Sequence, residues 1–251
     1  MIYQNGVLYK MKVCIITDNL YIYNHFRDLL QRKPQQAEFD FYYATWNHAF
    51  RDLFGEDGGM KPIRLRDQGD EFFNAYDLFI SLHCKQLFPD KMVQEHTCIN
   101  VHPGLNPYNR GWFPQVFGIM NRMPIGVTIH LMDTELDHGP IIYQKQLHLG
   151  AEETSKDVYE RILATEMELI EEHLEDLLTG NYTTKPMPFE GNINYKEDFE
   201  ALREIDLNKQ ATYGEVIDFL RAMTHAPYNN AYFLDEDGKR IYIGVTMKKE
   251  E

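Results

Sequence analysis

Two stretches of the sequence bring together side chains that can do acyl chemistry. The first runs Asn100-Val-His-Pro-Gly-Leu-Asn-Pro-Tyr-Asn-Arg-Gly-Trp112, and the second is Leu136-Asp-His-Gly-Pro140. Attack of an amine on an acyl carbon needs a neutral amine, a donor for the developing oxyanion, and a group that takes and returns a proton. Asn100 and His102 lie two residues apart, so on an extended segment both side chains leave the same face. That face presents an amide N–H to a carbonyl oxygen with an imidazole beside it. Asp137, in a glycine-bearing turn, can orient the imidazole, raise its basicity or shuttle a proton. Arg110 adds a planar cation able to hold an anionic substrate. Taken singly, each feature is weak. Asn-x-His at a strand end is most often a hydrogen-bonded loop pair, Asp137 a turn residue, and Arg110-Gly-Trp112 a surface loop with its indole on the core. The signal is that all of them occur together.

These residues need a scaffold, and the pattern of elements supplies one. Lys12–Thr17 is a short β-branched apolar run that reads as a buried strand, closed by Asp18 and Asn19. Helical spacing follows over 23–31, at Phe26, Leu29 and Leu30. Further strands are expected over 39–44, 76–82 and 97–101, the last carrying Asn100 with His102 just beyond it. Strands alternating with helices predict an α/β fold: a Rossmann-like, mostly parallel sheet with helices on both faces. Ligands of such sheets collect beyond the carboxyl ends of the strands. Asp18, Asn19, Lys85 and His102 fall at those ends, which makes the first three candidate substrate contacts. No G-x-G-x-x-G and no P-loop occurs, so a dinucleotide cofactor is poorly supported.

Downstream, 126–132 and 140–148 read as strands joined by a turn over 133–139. Thr154-Ser-Lys-Asp157 resembles a capping arrangement for a helix reaching about Leu178 and closed by Gly180. Pro186 and Pro188 mark a linker. Beyond it lie an acidic helical stretch over 213–223 and a hairpin of 231–234 with 239–243, turned at Asp237-Gly238. The expected organisation is an upstream extension over 1–10, a catalytic domain over 11–185, and a small α+β appendage over 190–251. The tyrosines, Phe and Ile of that hairpin suit pairing with a second copy, so a homodimer is expected.

Composition narrows the class of function. The 251 residues are 43% hydrophobic, with a formal net charge of −14, which argues against a nucleic-acid partner. An acidic chain that takes an anionic substrate must gather its few cations at the site, and Lys85 and Arg110 are the candidates. No apolar run is long enough to span a membrane, and the N-terminus lacks the pattern of a secretory signal. Cys14, Cys84 and Cys98 have no metal-ligand spacing and sit in or beside apolar runs. They are expected to be buried free thiols in a reducing cytoplasm, and no metal is expected.

Asn100-x-His102-Pro-Gly-Leu-Asn-Pro-Tyr-x-Arg110-Gly-x-x-Pro114, with Gly126-Val-Thr-Ile-His and Leu136-Asp137-x-Gly-Pro-Ile-Ile142, resembles the folate-dependent formyltransferase family. The resemblance is specific from about 78 to 170. It implies a catalytic triad of Asn100, His102 and Asp137, with N10-formyltetrahydrofolate as donor and its pterin near the 82–88 and 133–137 loops. Asn100 then stabilises the oxyanion, while His102 and Asp137 manage protons. His83-Cys-Lys-Gln86, the Asn109-Arg110-Gly-Trp112 segment and the compact tail resemble the members that formylate dTDP-linked amino-dideoxyhexoses. That implies acceptor contacts from Lys85, Asn109, Arg110, Trp112 and Tyr228, the cations on the diphosphate and an aromatic ring on thymine. The expected product belongs to a surface glycan such as an O antigen of lipopolysaccharide, and the acceptor leans to dTDP-4-amino-4,6-dideoxyglucose. A formyltetrahydrofolate hydrolase, or a formyltransferase with another amine acceptor, is the alternative.

Overall fold

Val13–Thr17 and Leu78–Leu82 are wholly buried, as strands covered on both faces must be. Around them the computed structural model, which describes residues 2–4, 7–55 and 58–250, arranges the following elements. The order is β1 (Ile2–Gln4), β2 (Val7–Tyr9), β3 (Met11–Thr17), α1 (Leu20–Arg32), β4 (Ala37–Ala44), α2 (His48–Phe54) and β5 (Lys61–Ile63). Then come α3 (Asp70–Phe73), β6 (Leu78–Leu82), α4 (Asp90–Glu95), β7 (Cys98–His102), β8 (Arg110–Gly111), α5 (Pro114–Asn121), β9 (Ile125–Leu131) and β10 (Ile141–Leu147). The chain ends with α6 (Ser155–Thr179), β11 (Ile193–Asn194), α7 (Lys196–Leu202), α8 (Tyr213–Met223), β12 (Thr224–His225), β13 (Tyr228–Asn229), β14 (Ala231–Leu234) and β15 (Arg240–Ile243). In the upstream extension, β1 and β2 pair antiparallel, Ile2 opposite Tyr9.

Seven strands form the main sheet in the order β10-β9-β7-β6-β3-β4-β5. The chain runs outward from β3 through β4 to β5, then returns to β6 and β7, all in parallel. The point of reversal, between β3 and β6, is where open α/β sheets form a crevice at the carboxyl ends of their strands. β9 then joins β7 antiparallel, so the sheet is mostly parallel, as the alternation of elements predicted.

By proximity the chain groups into two compact units. One comprises residues 1–102, 128–144 and 166–187, the other 103–127, 145–165 and 188–251. The tail from 188 therefore groups with two earlier segments, a different cut from a linear division at 185–190. In the first unit Cys14, Ile16, Phe73, Phe79, Met92 and Cys98 form one buried cluster, with Cys84 packed against it. All three cysteines are free. Burial pushes the Cys98 thiol up to about 12, and raises Cys14 and Cys84 as well. Thiols so far from ionisation are packing groups rather than nucleophiles.

In the second unit Arg221 is buried and donates to the carbonyls of Gly150 and Glu153 and to Asp218 Oδ1. Asp218 also accepts from Arg122 at 2.7 Å, so one carboxylate ties the end of α5 to the middle of α8. β14 and β15 form the expected hairpin, Tyr232 opposite Tyr242. The capping box expected at Thr154 is present: its N–H donates to Asp157 Oδ2 at 2.8 Å. No helix among the described residues is long and apolar enough to cross a membrane.

Candidate active site

The site in the first unit is built on the β7–β9 ladder. Register places Asn100 opposite His130 and His102 opposite Thr128. Side chains alternate across a strand, so Asn100 and His102 share a face with the two polar residues of β9. His102 is 3% exposed, His130 1% and Thr128 0%. β7 runs one residue beyond the 97–101 expected from sequence and so takes in His102 itself.

Asp137 comes back to this face through the turn that follows β9. Asp133 organises the turn, its Oδ1 accepting from the Glu135 N–H and its Oδ2 lying 2.7 Å from His138 Nδ1. Asp137 itself sits at φ 48°, the left-handed region that Asp and Asn tolerate better than other side-chain-bearing residues. Gly139 lets the turn close: a Cβ there would lie 1.9 Å from the Leu131 carbonyl oxygen. The fit predicts that Gly139→Ala displaces the turn and lowers turnover about tenfold or more, while circular dichroism shows a folded protein. Unchanged steady-state kinetics in that variant would mean the turn's position does not matter.

The Asp137 carboxylate is the hub of the cluster. Its Oδ1 accepts from Asn100 Nδ2 at 2.9 Å, and its Oδ2 lies 3.4 Å from His102 Nδ1. His130 is a fourth member that sequence reasoning did not assign to the site. Its Nδ1 is 2.7 Å from the Leu131 carbonyl, which can only accept, so Nδ1 carries a proton. In the neutral ring Nε2 is then a lone pair, 3.3 Å from Asn100 Nδ2. The Asn100 amide is thereby held between a carboxylate and an imidazole, which fixes its rotamer. The available signal was alternation: Thr128 and His130 are polar positions two apart in an otherwise apolar strand.

Other candidates have different surroundings. Asp18 is 8% exposed and its oxygens accept from the N–H groups of Ala44 and Lys85 and from Asn47 Nδ2. It ties together the loops after β3, β4 and β6. Asn19 caps α1, its Oδ1 accepting from the Ile22 N–H at 3.1 Å. Both were expected to meet substrate, and in this structure both also hold backbone N–H groups near the strand ends. The Lys85 side chain is exposed.

In the second unit Asn109, at φ 50° and 1% exposed, exchanges hydrogen bonds with Asn192 and accepts from Asn121. It too braces a loop. Arg110 is 4% exposed and its Nη2 donates to Glu190 Oε1 at 2.6 Å. Its Nε and Nη1 are buried and make no hydrogen bond among the described residues. β8 is held by pairing with β11, Arg110 beside Ile193. Trp112 and Tyr228 are exposed, at 38% and 67%. The Tyr228 ring lies 5.9 Å from that of His225, whose Nδ1 is 3.1 Å from Ser155 Oγ.

Residues 65–174 match the family model described as formyl transferase, and 198–249 match the N-formyltransferase dimerization C-terminal domain. A dTDP-4-amino-4,6-dideoxyglucose formyltransferase of Mycobacterium tuberculosis strain H37Rv is 40% identical over 96% of this chain and 98% of its own. A 4-N formyltransferase from Francisella tularensis superposes with a TM-score of 0.92 at 41% identity, covering 96% of this chain and 99% of that one. A sugar N-formyltransferase from a Shewanella species gives 0.90 at 40% identity, over 97% and 100%. With a carboxylate-centred Asn–His–Asp cluster at the end of β7 and likeness running the length of both chains, this protein belongs to the formyltransferase family.

Proposed function

We propose that the protein transfers the formyl group of N10-formyltetrahydrofolate to the 4-amine of dTDP-4-amino-4,6-dideoxyglucose. The observation that carries this reading is the Asp137 carboxylate in reach of both Asn100 and His102. The neutral amine attacks the formyl carbon, forming a C–N bond. One Asn100 N–H turns to the developing oxyanion, and the His130 contact at 3.3 Å is the weaker of its two present bonds to give up. His102, oriented by Asp137, takes the amine proton and returns it to N10 as the carbon–N10 bond breaks. The products are a formamide and tetrahydrofolate, with no net change in protons.

Binding of the acceptor is assigned to Arg110 and Lys85 for the diphosphate, and to Trp112 or Tyr228 for the thymine ring. The buried Arg110 Nε and Nη1, without a hydrogen bond among the described residues, are the donors this role would use. The 4-amino sugar is favoured by likeness to the mycobacterial and Francisella enzymes, both named for chemistry at that position. The formamido sugar would serve a surface glycan such as an O antigen and be made in the cytoplasm. The test is a panel of dTDP-3-amino and dTDP-4-amino sugars assayed with formyl-folate. Highest kcat/KM on the 4-amino glucose derivative supports the assignment. Preference for a 3-amino sugar overturns it.

We also assign homodimerisation to the tail. Support comes from the match to a dimerization domain and from exposed apolar residues on β15, with Ile241 42%, Tyr242 44% and Ile243 36% exposed. Tyr242→Glu is expected to shift sedimentation from dimer towards monomer, because a buried unpaired charge is costly at an interface. Dimer retained undiminished at low concentration would place the interface elsewhere.

A further inference from the structure

In the second unit a buried cation is held by an exposed carboxylate. The Arg110 and Glu190 side chains are 5% and 69% exposed, and the hydrogen bond from Nη2 to Oε1 is 2.6 Å. Arg110 Nε and Nη1 are buried and have no hydrogen bond among the described residues. A buried charge is costly unless its donors are met, so Arg110 carries more donor capacity than Glu190 takes up. An anion with several oxygens suits that remainder.

The place of Glu190 on the guanidinium decides how such an anion gets there. A guanidinium offers paired donors along two edges, Nε with Nη2 and Nη1 with Nη2, so Nη2 belongs to both. Glu190 holds that shared nitrogen. A diphosphate taking either edge must come close to the carboxylate, and two anions so placed repel strongly away from bulk water. The main chain on both sides is fixed. The Arg110 N–H donates to the Asn192 carbonyl at 3.0 Å, and Arg110 pairs with Ile193 across β8 and β11. Gly191 sits where a Cβ would lie 1.9 Å from the Pro107 carbonyl oxygen. The Glu190 side chain is the exposed partner, and exposed side chains change rotamer in picoseconds to nanoseconds. The movable member of the pair is the carboxylate.

We propose that Glu190 occupies the anion subsite of the unliganded enzyme and is displaced when the acceptor's diphosphate binds Arg110. This rests on the assignment of Arg110 to that diphosphate and goes beyond it by making Glu190 a brake on acceptor affinity. The ligand binds only the competent state, so its apparent affinity is scaled down by the fraction of molecules in which the carboxylate has left Nη2. A Glu190 that instead aimed the guanidinium at the diphosphate would strengthen binding, and its removal would act in the opposite direction.

The experiment titrates dTDP calorimetrically into wild type, Glu190→Ala, Glu190→Gln and Glu236→Gln, and measures acceptor and donor KM in each. Glu236, exposed in the turn between β14 and β15, controls for the change in net charge. The expected result is a fall of about three- to tenfold in dTDP Kd and acceptor KM in Glu190→Ala, with donor KM unchanged. Glu190→Gln should fall less, since its amide oxygen still accepts from Nη2. Glu236→Gln should bind dTDP as wild type does. A Kd unchanged or raised in Glu190→Ala overturns the proposal, as does an equal fall in Glu236→Gln, which would make the effect one of overall charge. A wild type that binds no dTDP would sink the acceptor assignment and this proposal with it, whereas wild-type binding without a gain in Glu190→Ala sinks this proposal alone.

Discussion

Asp137→Asn is expected to cut kcat by about a thousandfold while leaving the protein folded. The substitution suits the backbone, because Asn tolerates the left-handed φ of 48° as well as Asp does. An amide can still accept from Asn100 through its oxygen, at the position where Oδ1 now accepts at 2.9 Å. What it cannot do is face His102 Nδ1 with a second acceptor oxygen, or carry the negative charge that stabilises a protonated imidazole. The loss should therefore fall on turnover, with donor KM and melting temperature little changed. His102→Asn removes the proton carrier itself and is expected to lose about as much. The pair should be non-additive: the double variant no slower than about the worse single, since each disables the same proton path. Asp137→Ala should be worse for stability by roughly 1–2 kcal/mol, because Ala lacks the local hydrogen bonding that makes left-handed Asp and Asn acceptable. Rapid-quench kinetics on the three variants would check this. An Asp137→Asn enzyme turning over within about tenfold of wild type would remove Asp137 from the chemistry.

Asn100→Ala carries the second large effect, a fall in kcat of about 10²–10³-fold. The amide nitrogen lies between Asp137 and His130, so its rotamer is fixed before the oxyanion forms. A held rotamer limits the reorganisation to one N–H leaving its 3.3 Å contact with His130 for the oxyanion. Truncation also strips one donor from the buried Asp137, so some destabilisation accompanies the catalytic loss. Asn100→Asp separates the two. It keeps the volume but sets a second carboxylate against Asp137, which repels it and offers no N–H to the oxyanion. Both variants should bind folate within a few-fold of wild type, on the order of 1 kcal/mol or less. A normal kcat in Asn100→Asp would show that the oxyanion donor lies elsewhere.

The centre of the site was legible in the sequence because it depends on strand alternation. Asn100 and His102 share a face for the same reason any i, i+2 pair on a strand does, and the structure keeps them on β7. Asp137 was legible from the motif, but its approach depends on tertiary detail: the β7–β9 register and the backbone passage at Gly139. His130 was passed over because a histidine in an apolar strand is as readily a packed residue as a functional one. The polar loop residues were harder. Asp18, Asn19 and Asn109 have the right chemistry for a ligand, but loops and helix ends need donors and acceptors too: Asp18 and Asn19 accept from backbone N–H groups, and the Asn109 side chain accepts from Asn192 and Asn121. The surroundings of Arg110 were out of reach for a related reason. Its burial depends on Glu190 and on the β8–β11 pairing, where each strand has two residues and the two lie far apart in sequence. No periodicity window detects a contact of that kind.

The most direct test of the central claim is to follow formamide, tetrahydrofolate and formate together in one reaction with formyl-folate, with and without dTDP-4-amino-4,6-dideoxyglucose. Tetrahydrofolate is expected only when the amino sugar is present, in step with a sugar nucleotide heavier by one formyl group, with little formate released. Tetrahydrofolate and formate appearing at the same rate with and without the sugar would contradict it, since the Asn100–His102–Asp137 cluster would then be directing water, not an amine, at the formyl carbon.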